Sequence, residues 1–319
     1  MRAVAEPGRA ELDAAAEAVA ARLAPTPLVA APALGDGVWL KLESLQPTGS
    51  FKVRGAITAL AALPADAEVV TASAGNHGLG IAWAATALGR RATVVVPETA
   101  SPAKLGALER FDVCLIRHGP GYDEAEAHAL SLAERGAIYV SPYNDTRVIA
   151  GQSTIGRELD EQLGPSGDGP VTVVTPLGGG GLASGLGLWA SARGDVRVVA
   201  AETEASRAFA LALEAGRIAP FEPGPTLADG LGGNLEPGSV TFELVRDYVD
   251  TVVSVSEPEI EDAVRFMVTA AGLVLEGAAA AAVAAVRSGR AGADGGPLVV
   301  VVTGRNIAPA RLAEMLGRA

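Results

Sequence analysis

Four consecutive glycines, Gly178–Gly181, stand between a run of β-branched residues and a stretch with helical character in this chain of 319 residues. Backbone N–H groups that no side chain covers can converge on one anion at a helix N-terminus, where the helix dipole adds to the attraction. No lysine or arginine lies nearby in sequence, so the backbone alone would hold a phosphate there. A close-packed turn without a ligand is the alternative, and four glycines in a row favour the phosphate site.

The same turn also fits a dinucleotide-binding pattern, because Gly178, Gly180 and Ala183 match G-x-G-x-x-A. Glu202 follows about twenty residues later, where such folds carry an acid that binds a ribose. An NAD-dependent oxidoreductase is therefore an alternative function. This pattern leaves two further polar turns of the chain unexplained.

The second turn groups hydroxyl, amide and N–H donors at the start of a predicted helix: Ser73, Ala74, Gly75, Asn76 and His77. Such donors suit a substrate carboxylate as well as a phosphate. Taken alone, the turn is more typical of an ordinary N-cap with a glycine that allows a tight turn.

The third turn places Lys52 in the first turn of a helix, directly after Gly49, Ser50 and Phe51. A cation at that end opposes the helix dipole, which lowers the pKa of the amine. A lysine of lowered pKa is suited to form a Schiff base with a carbonyl group. Taken alone, a surface lysine with a solvated end is the commoner case.

These turns need strands and helices to hold them, and short β-branched runs alternate with helical stretches along the chain. The apolar runs are continuous rather than alternating, which predicts parallel strands covered on both faces. The breaker-rich segment 164–170 is the expected seam between a helix and a strand. We expect strands at 69–71, 92–96, 113–116, 137–140, 171–175, 196–200, 251–255 and 298–302, and helices at 76–88, 102–110, 122–134, from 181, at 257–269 and at 276–286.

Composition excludes several classes of protein. With 49% hydrophobic and 19% charged residues the chain is not disordered, and its net charge of −12 argues against nucleic-acid and membrane partners. One cysteine, Cys114, excludes an internal disulfide framework, and three histidines make a His-rich metal centre unexpected, so we expect no metal site. The N-terminus carries acids and no uninterrupted apolar run, so no signal peptide is expected. A cytoplasmic enzyme fits these counts.

Three segments in this order, 41–56, 72–78 and 178–182, resemble the pyridoxal-phosphate (PLP) enzymes of fold type II, within them the threonine/serine dehydratase and serine racemase family. The likeness continues at 148–156, 226–230, 276–280 and 303–306, and so covers nearly the whole chain. It implies an α/β fold of two open parallel-sheet domains, similar to the tryptophan synthase β chain. A small substrate-loop domain, 67–144, would be inserted into a large cofactor-binding domain of 1–66 plus 145–319, with the cofactor in the cleft between them.

The resemblance also implies roles for matching residues. Lys52 would form the Schiff base with PLP, and the loop Ser73–His77 would receive the substrate carboxylate. Thr303 would face the pyridine nitrogen, where a neutral partner favours rapid loss of a β-substituent. The other expected cofactor contacts are Phe51 against the ring, Asn76 at the 3′ oxygen, Gly178, Gly179, Gly180, Gly181 and Leu182 at the phosphate, Gly230 close to the ring, and Glu276 near it.

The implied reaction is a β-elimination that converts a small hydroxyamino acid, such as L-threonine or L-serine, into a 2-oxo acid and ammonia. Relatives of this kind favour a homodimer. The length also leads us to expect no C-terminal regulatory domain of the kind that biosynthetic threonine dehydratases carry.

The chain departs from the family pattern at three positions. Ala74 stands where serine racemases carry a second, catalytic serine, which favours dehydration over racemisation. Ala208 stands where cation-binding members have an aspartate, although Glu202 is retained, so a divalent cation is not expected there. Arg305 replaces a glycine, which leaves open an acidic or ectoine-derived hydroxyamino acid as substrate.

Overall fold

The computed structural model describes residues 4–164, 170–292 and 295–317, so residues 165–169 of the expected seam lie outside the described residues. The described helices are α1 (Arg9–Ala20), α2 (Lys52–Ala61), α3 (Asn76–Leu88), α4 (Pro102–Leu108), α5 (Tyr122–Ala133), α6 (Thr146–Leu163), α7 (Gly181–Arg193), α8 (Ala208–Ala215), α9 (Val240–Tyr248), α10 (Glu257–Ala271), α11 (Gly277–Arg287) and α12 (Pro309–Gly317). The described strands are β1 (Leu28–Ala30), β2 (Val38–Lys41), β3 (Val69–Ala72), β4 (Ala92–Val96), β5 (Cys114–Arg117), β6 (Ile138–Tyr139), β7 (Val171–Pro176), β8 (Val196–Thr203), β9 (Thr251–Val255) and β10 (Leu298–Val301).

The strands form two separate sheets. The larger has the order β1-β2-β10-β7-β8-β9, and the smaller has the order β5-β4-β3-β6. Among the strands that the structure describes, every pairing is parallel except that of the edge strand β1 with β2. The predicted α/β fold of two parallel-sheet domains is confirmed, with this one antiparallel edge, which the sequence did not predict.

Continuous burial of the inner strands explains their sequences. All residues of β3, β4, β7 and β10 are buried, so these strands need apolar side chains on both faces. Helices α10 and α11 pack on one face of the larger sheet, and α6 and α7 pack on the other. The run of alanines in α11 lets that helix approach the sheet closely.

Several predicted strands differ in length from those observed, and the largest differences are at β8 and β6. Strand β8 continues to Thr203, because Glu202 and Thr203 pair with Ser254 and Val255 of β9. Strand β6 has only two residues, because it is an edge strand that pairs with β3 at Val69 and Val70 alone.

The strands of the smaller sheet lie between residues 69 and 139, within the range expected for a small domain, whose limits of 67 and 144 stay a prediction. None of the helices within the described residues has the length and apolar character needed to cross a bilayer.

Candidate active site

Lys52 is the first residue of α2, and its Nζ donates to the carbonyl oxygen of Pro142 at 2.7 Å. Burial lowers the pKa of Lys52 to about 8, while the charge of Glu276 acts in the opposite direction. The Nζ also lies 5.2 Å from the centre of the Phe51 ring. Lys52 is therefore a partly buried amine with a carbonyl partner, which fits a nucleophile better than a surface lysine.

The glycine turn presents free donors. Within the described part of the chain, the backbone N–H groups from Gly178 to Leu182 donate to no protein acceptor. Gly180 has a φ of +86°, which glycine adopts without strain, and α7 begins at Gly181. Unpaired N–H groups at a helix N-terminus are the donor set that a phosphate ester needs. The turn therefore fits the phosphate of PLP.

Bulky neighbours explain why this turn has no side chains. A Cβ on Gly179 would overlap the ring of Tyr143, and one on Gly180 would lie 2.5 Å from the ring of Phe209. Tyr143 is fixed in turn, because its hydroxyl accepts from the backbone N–H of Glu236 at 2.8 Å. Two aromatic rings thus support the turn from the protein side.

The polar turn Ser73–His77 begins α3, as predicted. The N–H of Gly75 donates to Ser73 Oγ at 3.2 Å, and His77 Nε2 lies 3.1 Å from the carbonyl oxygen of Val140. Burial and the nearby charge of Lys52 lower the pKa of His77 to about 3, so its ring is neutral. Ala74 packs its methyl group against the core of the smaller sheet and offers no acid or base.

Asn76 joins the smaller domain to the larger one. Its Nδ2 donates to Glu276 Oε1 at 2.7 Å, and its Oδ1 accepts from Asn306 Nδ2 at 2.6 Å. Asn306 also donates to the carbonyl oxygen of Thr48 at 2.8 Å. Burial, with a further contribution from Asp229, raises the pKa of Glu276 to about 7.

The remaining predicted residues lie around the same point. The N–H of Phe51 donates to the carbonyl oxygen of Thr303 at 3.0 Å, which places the end of β10 beside Lys52. A Cβ on Gly178 would lie 2.8 Å from the carbonyl oxygen of Gly230, so Gly230 faces the glycine turn. The structure brings the three predicted turns together: Lys52 donates to Pro142, whose neighbour Tyr143 packs against Gly179, and the charge of Lys52 acts on His77. The individual roles stay predictions.

A buried ionic cluster holds the helix that carries Lys52. Arg54 donates to Glu43 Oε2 at 2.7 Å and Oε1 at 2.8 Å, and to Glu158 Oε1 at 2.6 Å. Lys41 also donates to Glu158. Burial disfavours the charge of Arg54, but Glu43 and Glu158 outweigh it and raise the pKa of Arg54.

Glu202 serves the protein rather than a ligand. It accepts from the backbone N–H groups of Phe209 at 3.1 Å and Ala210 at 3.3 Å, and from Ser254 Oγ at 3.2 Å. Burial raises the pKa of Glu202 to about 7. With its oxygens occupied, Glu202 is not placed to bind a ribose, which removes the support for a dinucleotide site.

Two further observations concern positions at which the chain departs from the family pattern. Within the described residues, no group of three or more His, Cys, Asp and Glu side chains could hold a metal ion. Arg305 is exposed, and its N–H donates to the carbonyl oxygen of Gly49 at 3.0 Å.

Sequence reasoning missed Tyr143 and Asn306 as parts of this site. Tyr143 follows the short edge strand β6 in a segment with no recognisable motif, so nothing in the sequence marked it. Asn306 belongs to the segment 303–306, one of the segments in which the chain resembles the fold type II enzymes, so that resemblance could have identified it.

A partly buried lysine of lowered pKa, beside a glycine turn with free N–H groups at the carboxyl end of a parallel sheet, defines an enzyme that binds a phosphorylated carbonyl cofactor. The chain belongs to the pyridoxal-phosphate dependent enzyme family, whose model matches residues 19–304. Its cofactor is PLP, and the residues present fit that group.

Relatives in sequence and structure agree with this assignment. The chain is 43% identical over 278 residues to an L-threonine ammonia-lyase of Thermotoga maritima, a match that spans 86% of this chain and 68% of the relative. Its fold is similar to the crystal structure of a threonine deaminase from T.th., with a TM-score of 0.87, 36% identity and coverage of 95% and 99% of the two chains. Maize serine racemase is also similar, with a TM-score of 0.88, 27% identity and 98% coverage of each chain.

Proposed function

We propose that this enzyme is an ammonia-lyase that converts a small β-hydroxyamino acid, L-threonine or L-serine, into a 2-oxo acid and ammonia. The observation that carries the proposal is the position of Lys52: its amine of lowered pKa donates to Pro142, next to the Tyr143 ring that supports the glycine turn, and its charge acts on His77 of the polar turn. The threonine ammonia-lyase and threonine deaminase among its relatives support a hydroxyamino acid as the substrate.

The proposed cofactor contacts follow from the donors available. Lys52 Nζ would hold PLP covalently, and the N–H groups of Gly178–Leu182 would bind its phosphate. Asn76 would donate to its 3′ oxygen, and Thr303 would offer its pyridine nitrogen a neutral partner. When bound, PLP withdraws electrons from the substrate Cα and so makes the Cα–H bond acidic.

Lys52 would also move the proton at Cα. A pKa of about 8 leaves part of the Lys52 amine unprotonated near neutral pH, so it can accept a proton once the substrate is in place. The nearby neutral His77 adds no competing positive charge. One base on one face of Cα suffices for elimination, whereas racemisation needs a second group on the opposite face.

The α3 N-terminus would bind the substrate carboxylate. Hydroxyl and N–H donors from Ser73, Gly75, Asn76 and His77 begin the helix, and its dipole favours an anion there. This turn belongs to the smaller domain, so carboxylate binding would draw the two domains together over the substrate and exclude water.

The decisive experiment replaces Lys52 by alanine and measures both visible absorbance and ammonia release with threonine and serine. We expect Lys52→Ala to lose the lysine-bound chromophore and the activity, while the control Arg110→Ala, at an exposed position away from the site, keeps both. Retention of elimination and of the chromophore in Lys52→Ala would refute the assignment.

Two finer proposals concern the substrate. Ala74 supports dehydration over racemisation, so chiral analysis should find serine racemisation far slower than elimination. The exposed Arg305 leaves an acidic hydroxyamino acid as a candidate, which a rate comparison of threonine, serine and 3-hydroxyaspartate tests. An equal response of all three substrates to Arg305→Ala would exclude a role for Arg305 in specificity.

We further propose that the enzyme is a cytoplasmic homodimer whose small domain comprises residues 67–144. The likeness to dehydratases supports the dimer, and the range of the smaller sheet supports the domain limits. Light scattering of the purified protein tests the oligomeric state, and a monomer at micromolar concentration would contradict it.

A further inference from the structure

The carboxylate of Glu257 joins three donors from two other segments. Its Oε1 accepts from the hydroxyls of Thr203 and Thr226, both at 2.6 Å, and its Oε2 accepts from the N–H of Leu227 at 2.6 Å. Thr226 Oγ1 accepts in turn from the N–H of Ala228 at 3.0 Å. One side chain therefore fixes the start of the segment 226–231, which we call the wall segment.

The wall segment lies between two parts of the candidate active site. A Cβ on Gly277, in the first turn of α11, would overlap the carbonyl group of Leu227. On the other side, the carbonyl oxygen of Gly230 faces Gly178 of the glycine turn. A shift of the wall segment would therefore disturb both the glycine turn and the helix start that follows Glu276.

Helix capping does not account for this carboxylate. The capping box at the start of α10 is made by Ser256 and Glu259, with Ser256 Oγ and the Ser256 N–H each 2.8 Å from Glu259 Oε2. Glu259 also pairs with Arg290 at 2.6 Å. Glu257 therefore takes no part in the capping box, although it stands at the start of the helix.

We propose that Glu257 is a positioning residue of the active site, which holds the wall segment against the glycine turn and α11 through three hydrogen bonds. An ionised carboxylate is needed because all three partners act as donors to it, and a carboxylate offers only acceptors. An amide would turn its NH₂ group toward at least one donor. The inference rests on the proposed function for the identity of the site, and on the contacts of Glu257 for the rest.

The test compares Glu257→Gln with the control Glu259→Gln, which lies two residues along the same helix and bonds to Ser256 and Arg290 instead. For each variant, PLP is titrated into the cofactor-free protein, the melting temperature is measured without PLP, and kcat and KM are measured with threonine. We expect Glu257→Gln to weaken PLP binding about tenfold and to raise KM more than it lowers kcat, as the loss of a charge-assisted hydrogen bond predicts. Glu259→Gln should lower the melting temperature without changing PLP affinity.

A second pair of variants keeps the test valid if Glu257→Gln fails to fold. Thr226→Val removes the hydroxyl that donates to Glu257, and Thr226→Ser keeps it. We expect Thr226→Val to show the weaker PLP binding, and Thr226→Ser to retain the affinity of the unaltered protein.

Unchanged PLP affinity and KM in both Glu257→Gln and Thr226→Val would overturn the proposal. An equal loss of affinity in Glu259→Gln would also overturn it, since that result indicates a general loss of stability. PLP affinity does not depend on which amino acid is the substrate, so these outcomes are separate from the Lys52→Ala test of the proposed function.

Discussion

Replacing Lys52 by methionine should stabilise the cofactor-free protein, although it should abolish catalysis. The Lys52 ammonium is partly buried at the N-terminal end of α2, where burial lowers its pKa to about 8 from the ordinary value of 10.5. Methionine has a similar length and carries no charge, so it can occupy the same space. Such a gain in stability would show that this lysine is retained for its chemistry at the expense of stability.

The sign and size of this change in stability follow from proton linkage. The unfolded chain holds the Lys52 proton more tightly than the folded chain, so the penalty on the fold is fully present below pH 8 and disappears by pH 10.5. A pKa shift of this size lowers the free energy of unfolding by about 3 kcal/mol. The methionine variant also loses the hydrogen bond from Lys52 to Pro142, which offsets about 1 kcal/mol of this gain. The net gain at pH 7 is about 2 kcal/mol, or roughly 3 °C in melting temperature for a chain of this size.

Thermal unfolding of the PLP-free proteins at pH 7 and at pH 10.5 measures the effect. Lys104→Met is the matched control, because the side chain of Lys104 is 48% exposed and its ion pair with Asp229 lies at the surface. We expect a raised melting temperature for Lys52→Met at pH 7 that disappears at pH 10.5, and almost no change for the control. A Lys52→Met protein that is no more stable than the unaltered protein at pH 7 would refute the reasoning.

Two further predictions concern the glycine turn and the ionic cluster around Arg54. Gly179→Ala should weaken PLP binding at least tenfold in a titration of the cofactor-free protein, because the new Cβ overlaps the Tyr143 ring, while Gly106→Ala, where a Cβ meets open space, should bind PLP normally. Glu43→Gln should cost about 3 kcal/mol of stability in denaturant unfolding, because it leaves Arg54 buried without one of its two carboxylates; a loss below about 1 kcal/mol would contradict that account.

The fold and the location of the site were predictable because they depend on local signals. Strand β4 and helix α3 begin and end at the predicted residues, since β-branched runs and glycine breaks mark both ends. Two of the polar turns were found for the same reason, because each combines a strand end, a glycine and a helix start within a few residues. The third was found from a glycine and a lysine at a helix start, since β2 ends eleven residues before Lys52.

The missed features depend on contacts between distant parts of the chain. Tyr143 supports Gly179 across 36 positions, and Glu257 reaches Thr226 across 31. The two acids at the start of α10 illustrate this, because Glu259 completes a capping box with Ser256 whereas Glu257 reaches Thr226 in another segment. Propensity describes what a residue does within its own helix, so it cannot show which neighbouring segment a side chain reaches.

Lys52 and Arg54 show how one helix supports two opposite kinds of buried cation. Arg54 is paired with two carboxylates, so its charge is compensated and fixes α2 against its surroundings. Lys52, two residues earlier, has a carbonyl oxygen as its hydrogen-bond partner, and burial lowers its pKa. A helix held only by apolar packing could shift to expose the lysine and relieve that penalty. Because Arg54 would have to leave both carboxylates for α2 to move, the ionic cluster keeps the Lys52 amine in a buried environment that disfavours its charge. The proposed role of Lys52 as a nucleophile and base depends on that environment.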